Sequence, residues 1–225
     1  MNKSILKDRF YKPILNAPNL KAIIDELQDF WQEEQNRRLD FYNWVTPDMK
    51  AEFIEGEIIV HSPVRKSHGD CGENLFMILK LFIRQKDLGW VGYEKYMTRF
   101  TRNDYEPDIS FIQKPKSDYI KNDQTIFPVP DFIVEILSKS TEERDRGIKK
   151  LDYQQHGVKE YWIIDADTQF IEQYILNDEG EYTDANIYTV KDTIPCYVIN
   201  GLNIPLSAIF HADNNHAFIQ QMMMS

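Results

Sequence analysis

Asp131-Phe132-Ile133-Val134-Glu135-Ile136-Leu137-Ser138 is an apolar run with one acid inside it. A run of that length suits a buried strand. Downstream, Glu142 to Gln155 reads as a helix, and Gly157 is a natural stop for it. Lys159 to Asp165, built on Tyr161-Trp162-Ile163-Ile164, reads as a further buried strand. Upstream, Gly89 to Thr101 and Pro107 to Ile112 read as strands parted by the polar turn Arg102-Asn103-Asp104. Strands interleaved with helices in this order predict an α/β fold with a mixed central sheet flanked by helices.

Working outward, Ala51 to Val60 reads as a hairpin around Glu55-Gly56. His68 to Arg84 is a helix with Leu75, Ile78, Leu79 and Phe82 on one face. Asn19 to Arg38 is another, with Leu20, Ile23, Ile24, Leu27 and Trp31 on one face and Asn19 as its cap. Phe41, Tyr42, Trp44 and Val45 form an aromatic knot after it, expected to pack on the core as a lid. Phe170 to Leu176 and Tyr182 to Val190 are expected as a peripheral hairpin, and Lys114 to Phe127 as a polar loop. The last dozen residues are expected to fray. The resulting division is an N-terminal helical extension over 1–50, a main domain over 51–210 and a tail over 211–225.

Lys and Arg number 26 against 36 Asp and Glu, a formal charge of −10, which argues against coating nucleic acid through the overall field. A local site in which a divalent cation shields clustered acids stays compatible with that balance. Cys71 and Cys196 stand far apart with no CxxC spacing, so neither a zinc ribbon nor a disulfide framework is expected. No apolar run is long enough to span a membrane, and Met1 to Lys12 lacks the apolar stretch of a signal peptide. A cytoplasmic protein without a membrane anchor is the expectation.

Glu135 shares a strand face with Ile133 and Leu137. An unpaired carboxylate there costs several kcal/mol. It therefore needs a basic partner or a cation, and a purely structural ion pair answers the need as well as a functional site does. Asp108 opens a strand directly after Pro107. Asp145, Lys149 and Tyr153 recur every four residues on the following helix, so they share one face. Two carboxylates and an ammonium are what metal-dependent phosphodiester hydrolysis uses: acids to hold a hard cation through oxygen, and a lysine to orient water or neutralise developing charge.

Several motifs fall in a familiar order. Glu52-Phe53-Ile54-Glu55-Gly56-Glu57, Ser62-Pro63, His68-Gly69, Pro107-Asp108 and Val134-Glu135-Ile136-Leu137-Ser138 come first. Asp145-Arg146-Gly147, Lys149, Tyr153, Gly157-Val158, Glu160-Tyr161-Trp162 and Asp165 follow. Together they resemble the Uma-two family, over about Glu52 to Leu176. The resemblance implies a restriction-endonuclease-like core of the PD-(D/E)XK type, with an N-terminal helical extension and peripheral β-hairpins around it. Asp108 is then the acid of the PD element and Glu135 the second acid. Position 137, where that pattern has its lysine, is Leu137, and Lys149 on the next helix matches the migrated place. Lys150 ranks second and Lys139 third. Glu52 is the favoured third acid, with Glu57 and Glu73 as alternatives.

The implied activity is that of a metal-dependent endodeoxyribonuclease leaving a 5′-phosphate, with Mg²⁺ or Mn²⁺ held by Asp108, Glu135 and the backbone carbonyl of Ile136. The alternative is a nucleic-acid-binding or regulatory protein that keeps the fold with little activity. DNA is the expected partner, bound weakly and with strong salt sensitivity, through Arg65, Lys66, Lys95, Arg99, Arg102, Lys139, Arg144, Arg146, Lys149 and Lys150. A homodimer is an open alternative, since enzymes that cut both strands often pair about a two-fold axis.

Overall fold

The computed structural model describes residues 11–224. The reading of Met1 to Lys12 falls mostly on residues 1–10, outside the described residues. No helix among the described residues is long and apolar enough to cross a membrane.

A six-stranded mixed sheet carries the architecture. Its order is β11 (Asn186–Thr189), β10 (Phe170–Ile175), β9 (Glu160–Asp165), β8 (Phe132–Ile136), β6 (Ile109–Gln113) and β3 (Gly89–Tyr93). The run quoted first is therefore the central β8, parallel to β9 and antiparallel to β6. A parallel neighbour requires a crossover. Here it is α4, which runs as Glu142–Arg144, a π-helical stretch Asp145–Lys149, and Lys150–Gln155. Gly157 ends it at φ +77°, and Val158 N–H reaches back to the Tyr153 carbonyl at 3.0 Å.

One sheet face packs on α3 (Lys66–Lys86), through Leu75, Ile78, Leu79 and Ile83 against Phe111, Phe132, Val134 and Trp162. The other face, carrying Ile133, Tyr161 and Ile163, meets Tyr153 of α4 and Phe100 and Tyr105. The alternation read from the sequence thus holds: Val134 and Ile136 face α3, and Ile133 faces α4. α5 (Ser207–Phe210) and α6 (Ala212–Met224) close the α3 side. α6 corrects the expectation of a frayed end. Met222 is buried, and the Asn215 amide donates to the Asn74 and Ala208 carbonyls at 2.9 Å each.

A second, five-stranded sheet has the order β2 (Glu57–Val60), β1 (Ala51–Ile54), β5 (Asp104–Tyr105), β4 (Met97–Arg99) and β7 (Ile126–Phe127). A two-stranded sheet, β12 (Thr193–Pro195) with β13 (Asn203–Pro205), stands apart from both. β1 and β2 are the expected hairpin, turning at Glu55 and Gly56, both of positive φ. The positive φ of +85° is what favours glycine at position 56. The strand expected over Gly89 to Thr101 divides: β3 joins the large sheet and β4 the small one. Glu94 and Lys95, at φ +54° and +46°, make the break. β10, expected at the periphery, is an interior strand between β9 and β11.

A short helix, α1 (Lys12–Leu15), precedes the long α2 (Leu20–Trp44), which continues past Arg38 through the aromatic knot. Asn19 precedes α2 but makes no side-chain cap. Ile24, Leu27 and Trp31 of its apolar face are exposed. Charge anchors the helix instead. Arg38 donates to both oxygens of Asp104 at 2.6 and 2.7 Å and to the carbonyls of Phe100, Thr101 and Asn103. Glu34 pairs with Arg102 at 2.7 Å, and Phe41 packs on Phe53, Ala51 and Met97. Because Arg38 and Asp104 are both buried, Arg38→Ala leaves the Asp104 anion with only the Tyr42 hydroxyl at 2.8 Å and Arg99 at 4.0 Å. The expected loss is about 3–5 kcal/mol, read as a lower urea midpoint. An Arg38→Ala variant as stable as wild type would contradict the anchor.

Candidate active site

Asp108 and Glu135 meet through strand register. Ile109 lies opposite Val134 on antiparallel strands, so one step further Asp108 falls opposite Glu135. Directly opposed residues project to the same face. The Ile136 N–H closes the pair by donating to Asp108 Oδ2 at 2.8 Å. Both acids border a cavity of about 450 Å³. Its walls come from the start of α3 (Arg65, Ser67, His68), the β8–α4 loop (Ser138 to Thr141), the β9–β10 turn (Asp165 to Thr168), and Lys50, His61 and Glu106 beside the small sheet.

Lys149 reaches Glu135 as its spacing predicts. Its Nζ lies 3.0 Å from Glu135 Oε1, 2.9 Å from Glu52 Oε1 and 3.3 Å from Asp145 Oδ1. The Tyr153 hydroxyl donates to the same Glu135 oxygen at 2.7 Å. Glu52 is the acid brought to this cluster, whereas Glu57 and Glu73 are exposed. Lys150 turns away, its ammonium 4.0 Å from the Tyr174 ring centroid. Lys139 lines the cavity mouth.

Asp108 is held by different cations. Its Oδ1 pairs with Lys50 at 2.7 Å, and its Oδ2 stands 3.2 Å from His68 Nε2. Lys50 had no signal in the sequence, because it precedes β1 with no periodic or motif neighbour. His68, one of the motif residues, turns its ring to Asp108. Glu106 was also missed. It lines the cavity, its N–H donates to Glu52 Oε1 at 3.0 Å, and its own Oε2 has no hydrogen-bond partner. The remaining basic residues do not form one strip. Arg102 is taken by Glu34 and Glu55, Arg146 by Glu142 and Glu172, and Lys66 by Asp70.

The charge balance is uneven. Three carboxylates share the Lys149 ammonium. Burial pushes Glu135 up to about 8, with Lys149 opposing and Asp145, Asp108 and Glu52 reinforcing the rise. Burial also raises Asp145. For Glu52 burial acts upward too, but Lys149 and then His61 outweigh it and hold the carboxyl at about 2. Burial raises Asp108 as well, yet the His68 hydrogen bond and the Lys50 charge keep it below the usual carboxylate range. Lys149 is driven well above its ordinary value: burial opposes, and Glu135, Glu52 and Asp145 prevail. Burial pushes Glu106 up to about 7, helped by the charge on Glu52.

Residues 34–207 match the family model described as "Uma2: Putative restriction endonuclease". The chain belongs to the Uma2 family. A solved structure, described as a "putative nuclease belonging to DUF820 from Anabaena variabilis ATCC 29413", is similar in fold. It superposes with a TM-score of 0.62 at 20% identity, covering 71% of this chain and 89% of the other. No curated protein matches. The mixed sheet flanked by helices is thus the expected restriction-endonuclease-like architecture.

Glu52 supplies a pH test. Its carboxyl is depressed from 4.5 to about 2. The stabilisation is present above pH 4.5 and is lost as pH falls towards 2, about 3 kcal/mol at full extent. Denaturant unfolding from pH 6 to 2.5 should therefore fall less steeply for Glu52→Gln than for wild type. Parallel profiles would mean that Glu52 is not held by Lys149.

Proposed function

We propose that this Uma2-family protein is a metal-dependent endodeoxyribonuclease working at the cavity between Asp108 and Glu135. The observation that carries the reading is the strand register that sets these two acids side by side at a cavity wall, with Lys149 bonded to one of them. Among the described residues no cluster of three His, Cys, Asp or Glu side chains forms a ready metal cage. Mg²⁺ needs none, since it commonly binds through one or two carboxylates, retained waters and substrate phosphate. The donor set of Asp108, Glu135 and the Ile136 carbonyl fits that habit and offers the hard oxygens that Mg²⁺ or Mn²⁺ prefers. The chemistry supplied at such a position is polarisation of the phosphodiester and a lowered pKa for bound water.

The chain's own groups do the rest. Ile136 N–H and His68 fix the Asp108 carboxylate through Oδ2, and Lys50 holds Oδ1. Tyr153 and Lys149 converge on one oxygen of Glu135 and so fix the other. Lys149 neutralises charge beside Glu135 and orients a water bound at that carboxylate. Ser138, Ser140, Thr141, Lys139 and Arg65 at the cavity rim meet the sugar–phosphate backbone. With a formal charge of −10 and most arginines already paired, DNA affinity is weak and falls steeply with salt. The second reading, a nucleic-acid-binding protein with little activity, draws on the engagement of both Asp108 oxygens by the chain itself.

Supercoiled plasmid with Mg²⁺ or Mn²⁺ separates the two. Wild type should nick it, and Asp108→Asn and Glu135→Gln, which keep side-chain shape, should lose about 100-fold or more. Binding without cleavage under either ion would favour the second reading. Mn²⁺ titrations should also depend on pH, because a cation favours the ionised form of Glu135, which becomes dominant only above about 8. Affinity should rise from pH 6 to 8 and then level off, with proton release at the lower pH. A flat profile would place Glu135 outside the metal site.

A further inference from the structure

A cation of the chain's own stands at Asp108. Lys50 Nζ lies 2.7 Å from Asp108 Oδ1, and its side chain is only 14% exposed. The backbone behind it is fixed, since the Lys50 carbonyl accepts from His61 N–H at 2.9 Å and Ala51 is buried in the small sheet. The other Asp108 oxygen already accepts from Ile136 N–H and faces His68 Nε2. Oδ1 is thus the oxygen left for an incoming ion, and the ammonium sits on it. A divalent cation and an ammonium are like charges and repel strongly at such separations.

The ammonium has a second seat. Glu94 Oε2 lies 3.5 Å from Lys50 Nζ on a side chain that is 26% exposed. Glu94 is placed there by the left-handed break between β3 and β4, and its N–H donates to the Asp108 carbonyl at 2.9 Å. A lysine on a flexible four-carbon stem can move between two such carboxylates. We propose that Lys50 is a tethered counter-ion that holds the Asp108 position until a divalent cation displaces its ammonium towards Glu94. The proposal rests on the metal-dependent reading given above. It gives the site a defined state without metal, in which Asp108 stays ionised and in place, and it makes metal affinity a competition set within the chain.

The test is calorimetric titration of Mn²⁺ into the full chain, with circular dichroism confirming that each variant is folded. Lys50→Met should bind Mn²⁺ about tenfold more tightly than wild type, and Lys50→Arg no more tightly than wild type. Lys191→Met, which removes an exposed lysine outside the cavity walls, should change affinity by less than about twofold. Asp108→Asn should lose the binding. With ¹³C-labelled lysine, Mg²⁺ should also shift the Lys50 Cε resonance. Unchanged or weaker binding by Lys50→Met, or equal tightening by Lys191→Met, overturns the counter-ion while leaving the metal site standing if Asp108→Asn still abolishes binding. If neither wild type nor Lys50→Met binds Mn²⁺, the metal-dependent reading fails and the counter-ion fails with it.

Discussion

A single ammonium, that of Lys149, serves three buried carboxylates from separate parts of the chain: Glu52 on β1, Glu135 on β8 and Asp145 on α4. Buried ions of one sign survive only when compensated. The cluster therefore couples the small sheet, the large sheet and the crossover helix at one point. Moving any of the three elements strands an anion in a region that excludes water. The same shortage of positive charge divides the acids into two kinds: Glu52 stays ionised, while Glu135 and Asp145 are pushed towards the neutral form. Stability and the chemistry proposed for the cavity are thus drawn from one set of contacts.

The small sheet needs its own charge compensation to arrive where Glu52 is useful. Arg38 and Tyr42 of α2 close on Asp104 of β5, and β5 pairs with β1. Glu106, two residues after Asp104, binds Glu52 through its backbone N–H. A path of direct bonds thus runs from a surface helix to the cluster around Lys149. The N-terminal helix is part of the scaffold of the site, although much of its apolar stripe remains exposed.

Much of this was legible in sequence order alone. The apolar run with one acid, the helix of repeating Asp145, Lys149 and Tyr153, and the next buried strand specify a β–α–β unit and put Lys149 near Glu135. Period and length carry that information, and they are local. Local patterns do not say which distant carboxylate an unremarkable lysine will meet. Lys50 and Glu106 acquire meaning only when β1 and β5 pair and the small sheet swings against β6 and β8. The reading of Gly89 to Thr101 as one strand failed for a related reason. Its β propensity is continuous, but two left-handed residues, Glu94 and Lys95, hand the chain from one sheet to the other. The stripe on α2 misled because apolar periodicity shows that a face exists, without showing that anything covers it.

The π-helical stretch Asp145–Lys149 has a consequence for chain length. In a straight α-helix, four residues over-rotate one turn by about 40°, and eight by about 80°. Asp145 and Tyr153 would then diverge from Lys149 in opposite senses. The wider π turn takes up the excess between Asp145 and Lys149, so that Asp145 faces the Lys149 ammonium while Lys149 and Tyr153 both reach Glu135. Between Asp145 and Tyr153 the spacing is consequently a ruler: residues pointing outward, such as Leu151, are free to change in kind, while inserting or deleting even one position would swing the amine and the phenol off their shared target by about a quarter turn. The turn from Asn177 to Glu181, between β10 and β11, carries no such constraint and can vary in length without touching the cavity.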